Sequence, residues 1–212
     1  MPLTTCIDVM KKKLLLFLFC LEMISCGTVS HNGFIYYKES VVHPLPFWIN
    51  GAWYTVKSRV IGVNDTRIWV VVYFFYEDGT LFHNDLDITD TLPSGIRSSI
   101  KDHYPSIENL AKNNGGAFKI AGDTLKVQFF SSTQQTGLYD TNVAEDCFLI
   151  NKNSPTIDLL SHSCSWCGKR GQGYDKNGVK RFNPPEEYRF LPLDSKPDST
   201  KMWFKGKSWY KK

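Results

Sequence analysis

Apolar and polar residues alternate along most of this chain with the two-residue period of β-strands, and one stretch breaks into a helical period. Ala52 to Ile61 (AWYTVKSRVI) is rich in the aromatic and β-branched residues that suit a pleated surface. Arg67 to Glu77 (RIWVVVYFFYE) runs into Asp78-Gly79, after which Thr80 to Ile88 returns. An Asp-Gly pair between two such runs predicts a hairpin, because glycine accepts the positive φ of a tight turn. On the returning strand Phe82, Leu86 and Ile88 share one face with Asn84, and His83, Asp85 and Asp87 share the other. That pattern predicts one buried side and one wet side. The outgoing strand is apolar on both faces, so something must cover its outside.

Residues 93–116 follow a different period. Ile96 and Ile100, then Ile107, Leu110 and Ala111, recur at helical spacing, with Pro105 suited to an early helical position and Asn113-Asn114-Gly115-Gly116 as a stop. Two short helices joined near Tyr104 are expected to cover a face or an open end of the sheet. Strands resume at Ala117–Ala121 and Thr124–Ser131 around Gly122-Asp123, and further strands are predicted at 136–141, 145–151, 156–162, 186–193 and 201–210. Residues 165–185, rich in glycine and without a period, predict a long loop. Short antiparallel strands with turns every 8–12 residues favour a closed barrel or a sandwich, and the near-sequential hairpins favour the barrel. The expected fold is mostly β, an antiparallel up-and-down barrel of about 8–10 strands with a short helical insertion near 93–114.

The N-terminus changes where such a barrel would work. Lys11-Lys12-Lys13, the apolar run Leu14–Phe19 and Met23-Ile24-Ser25-Cys26 have the order of a secretory signal, and the apolar run is too short to span a membrane. A small residue directly before a cysteine resembles the lipobox of bacterial lipoproteins, which implies lipidation of Cys26. Glu22 and Cys20 interrupt the apolar run; plain secretion with cleavage nearby, or a retained anchor, is the alternative. The expected organisation is a signal peptide at 1–25, an irregular tether at 26–47 and one β domain at 48–212. The protein would then be exported and held on the bacterial cell envelope, at the outer membrane in preference to the inner. The formal net charge of +4 is small and scattered, and no nucleic-acid partner is expected. Aromatic residues make up 14% of the chain, which suits β architecture.

Gly51-Ala52-Trp53 opens the first strand after the tether, Asp78-Gly79-Thr80 marks the first hairpin, and the chain closes with Tyr188-Arg189-Phe190 and Trp209-Tyr210. This ordering, downstream of a lipobox, resembles the lipocalin-like (calycin-type) domains of small bacterial lipoproteins over residues 48–212. The resemblance implies a barrel with Trp53 plugging the closed end after Gly51. It also implies a late basic side chain packed on that tryptophan, with Arg189 the candidate and Lys207 or Lys211 as competitors. It implies binding of apolar small molecules in the barrel mouth. The helix pair and the 165–185 loop depart from the simplest family pattern.

Candidate chemistry is sparse. Of six cysteines, Cys6 and Cys20 would leave with the signal and Cys26 would carry lipid, so Cys147, Cys164 and Cys167 remain. The motif Cys164-Ser165-Trp166-Cys167 has three readings: a structural disulfide within the motif or to Cys147, a zinc site with His162 and Cys147, or a redox pair. The disulfide is the expectation, and no metal or other cofactor is assigned. Asp85, Asp87 and Asp90 beside His83 could suggest a cation, but a solvated edge accounts for them. Glu186 and Glu187 are adjacent and must point to opposite sides of a strand, which rules them out as a paired acid and base on one face. No nucleophile elbow or phosphate loop occurs, so no enzyme is expected. On the strand at 67–77, Trp69, Tyr73 and Phe75 alternate with Val70, Val72 and Phe74. One set fills a core; the other lies under the helices, lines a ligand cavity or meets a partner. Trp69, Tyr73, Phe75 and Phe82 are the candidate ligand-lining residues. The functional expectation is a membrane-anchored barrel binding an apolar or amphipathic small molecule. Its alternatives are a structural or interaction lipoprotein with a filled barrel, and a Cys/His metal or thiol site around 162–167.

Overall fold

A computed structural model describes residues 33–38, 41, 43–62, 65–109, 114–135, 138–152, 154–164 and 173–210. Eight antiparallel strands close into a barrel in sequence order: β1 (Gly51–Val60), β2 (Thr66–Phe75), β3 (Thr80–Asp87), β4 (Gly115–Ala121), β5 (Thr124–Gln135), β6 (Leu138–Ile150), β7 (Thr156–Cys164) and β8 (Val179–Pro192). The barrel closes where β1 pairs with β8, Trp53 opposite Phe190. Two helices, α1 (Pro93–Asp102) and α2 (Tyr104–Asn109), connect β3 to β4. The expected mostly-β, up-and-down architecture with a helical insertion is the observed one.

β2 explains why the chain builds two cores. Its inward set, Val71, Tyr73 and Phe75, belongs to the barrel interior with Trp53, Phe118, Phe148 and Tyr188. Its outward set, Val70, Val72 and Phe74, belongs to a second core on the outside of the wall. Ile96, Ile100 and Ile107 of the helices cover this outer face, with Met202 and Phe204 from the C-terminal segment. Proline at the start of α1 loses no helical hydrogen bond there, and the spacing of Ile96 and Ile100 puts both on the buried side.

Four expectations need correction. Residues 201–210 form 3-10 turns, Ser199–Lys201 and Trp203–Gly206, instead of a strand. A closed barrel leaves no free edge to pair with, so the alternating Met202 and Phe204 are buried by packing alone. The strands predicted at 136–141 and 145–151 are one strand, β6, and β8 starts at Val179 inside the expected loop. The described part of the expected tether is packed, with Phe34, Tyr36 and Tyr37 buried against the wall. Gln128 Oε1 accepts from the backbone N–H of Ile35 (2.9 Å) and Tyr36 (3.2 Å), and the Tyr36 hydroxyl donates to Glu145.

Candidate functional site

The barrel interior divides along its axis. At the closed end Trp53 is 2% exposed and donates from Nε1 to the Trp48 carbonyl at 2.8 Å. Phe47 enters from below and meets Trp53, Phe75 and Phe118 at centroid distances of 6.1, 5.1 and 6.0 Å. Gly51 is required for closure, since a Cβ there would lie 2.2 Å from the Leu191 carbonyl oxygen. Arg189 does not pack on Trp53: its side chain is 71% exposed and its Nε donates to Glu187 at 2.8 Å. Arg189 stands opposite Tyr54, an outward position, whereas Phe190 is opposite Trp53 and meets its ring in a tilted contact at 5.2 Å. A basic residue bound at this end is Lys196, whose Nζ donates to the carbonyls of Ile49 (2.9 Å) and Phe75 (2.7 Å) over the Tyr76 ring.

The other end is an open cleft of about 320 Å³ with mixed lining. Its floor is a hydrogen-bonded cluster. Asp146, 2% exposed, accepts from the Tyr73 hydroxyl on Oδ2, and its Oδ1 lies 2.6 Å from His162 Nδ1. Asp146 and His162 are direct cross-strand partners on β6 and β7. A register shift between Cys147 and Phe148 in the β6–β7 ladder, where Ser161 pairs with Cys147 and Leu159 with Phe148, sets this pairing. It inserts one residue into β7, so that Leu159 and then His162 face inward; strict alternation would have put 161 there.

His83 lies across from Tyr73, with its ring 4.7 Å from Tyr73 and 4.3 Å from Phe129. Burial pushes its imidazole pKa below the ordinary value, opposed by the carboxylates of Asp85 and Asp146. Tyr188 is 1% exposed and edge-on to Tyr73 (5.6 Å) and Phe148 (5.3 Å). Burial raises both the Tyr73 and Tyr188 hydroxyls well above the ordinary phenol range. Lys57 Nζ and Glu186 Oε2 form an ion pair at 2.9 Å on the wall, while Glu187 points outward to Arg189.

Of the residues expected to line a ligand, Trp69 and Tyr73 border the cleft. Phe75 lies deeper, in the filled closed half, and Phe82 belongs to the outer core beneath the helices. The face carrying His83 and Asp85, read from sequence as a solvated edge, instead turns into the barrel mouth. Sequence reasoning named His162 only as a metal ligand and did not single out Asp146. The available signal was Asp146 at an inward place in the alternation Ala144, Asp146, Phe148, Ile150.

Among the described cysteines, Cys147 is a free thiol and Cys164 is disulfide-bonded, which leaves Cys164 no thiolate to offer a metal. Cys147 therefore takes no part in the disulfide. No cluster of His, Cys, Asp and Glu suited to a metal occurs among the described residues. Cys26 and Cys167 lie outside the described residues, and no described helix is long and apolar enough to cross a membrane. No family model matches this chain, and no curated protein or solved structure does either.

Proposed function

We propose that this protein is an exported, lipid-anchored, lipocalin-like barrel that binds a small amphipathic molecule in its open mouth. The observation that carries the reading is the contrast inside one barrel: a closed half filled by its own rings, and above it an unfilled cleft of about 320 Å³. That volume lies at the lower end of small-molecule sites and suits a compact ligand; the aromatic plug leaves no channel for a long acyl chain. Apolar burial on Trp69, Phe129 and Leu159 would supply affinity, and the polar floor would set orientation.

Membrane fractionation and native mass spectrometry test the two parts. Wild-type protein should sediment with membranes and Cys26→Ala should not; an unchanged distribution removes the anchor. Protein extracted gently should carry an additional small mass that is absent after Ser131→Phe, a change at the cleft wall. A bare mass in both would favour the alternative of an interaction lipoprotein. A groove of about 660 Å³ at the closed end, lined by Pro44, Leu45, the exposed Trp48 and Phe190, gives that alternative its own support.

A further inference from the structure

Resting on the mouth cleft as a binding site, we infer that its ligand is a small organic cation, an amine carried on a compact apolar body. The lining is first of all aromatic. Trp69, Tyr73, Phe129, Tyr174, Phe182 and Tyr188 present their rings to one space, and ring faces attract cations through their quadrupoles. The charges point the same way. Lys57 neutralises Glu186, and with His83 and His162 counted as neutral the carboxylates of Asp85 and Asp146, the latter bonded to His162 Nδ1, stand against the single ammonium of Lys180. Lys180 itself lies with Nζ 5.0 Å from the Phe182 centroid, a cation on a ring of this wall.

A second observation is independent of charge. Tyr188 is almost wholly buried, borders the cleft, and has no hydrogen-bond partner for its hydroxyl among the described residues. The carboxylates of Glu186, Asp146 and Asp85 all act on that hydroxyl, which places it on the acidic side of the space. The hydroxyl is open to the cleft and is not a sealed polar atom, since among the described residues Trp203 Nε1 is the buried side-chain polar atom without a partner. An ammonium N–H donating to the Tyr188 oxygen, with its charge facing Asp85 and Asp146, gives that hydroxyl a partner within the cleft and meets the carboxylates at once. A carboxylate or phosphate ligand would satisfy the hydroxyl but would face Asp146 across the floor.

Calorimetric titration of the full chain in a non-ionic detergent tests this with three probes of one shape: phenethylamine, 2-phenylethanol and 3-phenylpropionate. The amine should bind about tenfold or more tighter than the alcohol, as expected for a hydrogen bond made by a charged group, and the propionate should bind weakest. Asp85→Asn should weaken amine binding about fivefold, and Lys180→Gln should strengthen it about fivefold, the scale of exposed charge pairs. Asp85 is 61% exposed, so its amide variant should fold normally. Alcohol or propionate binding as tightly as the amine, and lost in Ser131→Phe, would overturn the cation and leave the cleft intact. If none of the three probes binds and the purified protein carries no mass, the cleft reading falls as well.

Discussion

Tyr73 and Phe75 are two residues apart on β2, point into the same barrel, and belong to different chemistries. Phe75 sits in the closed half among Phe47 and Phe118, where ring meets ring. Tyr73 sits at the boundary, stacked on Phe75 on the aromatic side and donating its hydroxyl to Asp146 on the other. The closed half is held by burial and shape. The mouth half is held by a few hydrogen bonds among groups that would be costly to leave unpaired, and it leaves space that the closed half does not. Filled and open space are thus separated along the axis of one interior.

The comparison breaks most visibly at the plug. Trp53→Ala should cost about 3–5 kcal/mol in denaturant unfolding, since it removes a large buried ring and leaves a void against Phe47 and Phe190. A loss below that range would mean the plug is dispensable. Asp146→Ala should cost about 1–3 kcal/mol by stranding the Tyr73 hydroxyl and His162 Nδ1. Adding Tyr73→Phe to that variant should recover part of the loss, and strict additivity of the two changes would show that the pair is not coupled. Gly51→Ala should cost about 1–3 kcal/mol, because the new methyl must push β1 from the Leu191 carbonyl.

The mouth should also respond to acid where the closed half does not. His83 has its folded pKa depressed by burial, so the unfolded chain binds the proton more readily. The stability this contributes is fully present above the ordinary histidine pKa and is lost as pH falls below it. Unfolding free energies measured on both sides of that value should show the loss in wild type and a smaller one in His83→Gln; equal losses would assign the acid response to other groups. At the small end, Asp85→Asn should change stability by about 0.5 kcal/mol or less while altering binding.

Much of the fold was legible because local pattern and closure agree. The two-sided apolar run of β2 demanded a cover, and the helices supply one. The site was less legible for a reason visible on β3. Alternation separates Phe82 and Leu86 from His83 and Asp85, but it does not say which set faces inward. Here the apolar set faces outward, under the helices, and the polar set faces in. Local period also could not reveal the extra residue in β7, so the inward placement of His162 emerged only from its register against β6. The 201–210 segment misled for a third reason, since alternation describes a strand only where an edge remains to receive it.

The packed N-terminal segment sets the length of the leash. Gly33 lies against Val143 on the outer wall, and from Phe34 onward the chain is pinned by Gln128 and Glu145. Only six residues separate Cys26 from Gly33, seven Cα steps with a reach of about 25 Å even when fully extended. For a chain acylated at Cys26, the barrel wall near Val143 would then ride within one small-domain diameter of the bilayer, and any molecule entering the mouth would be met close to the membrane surface.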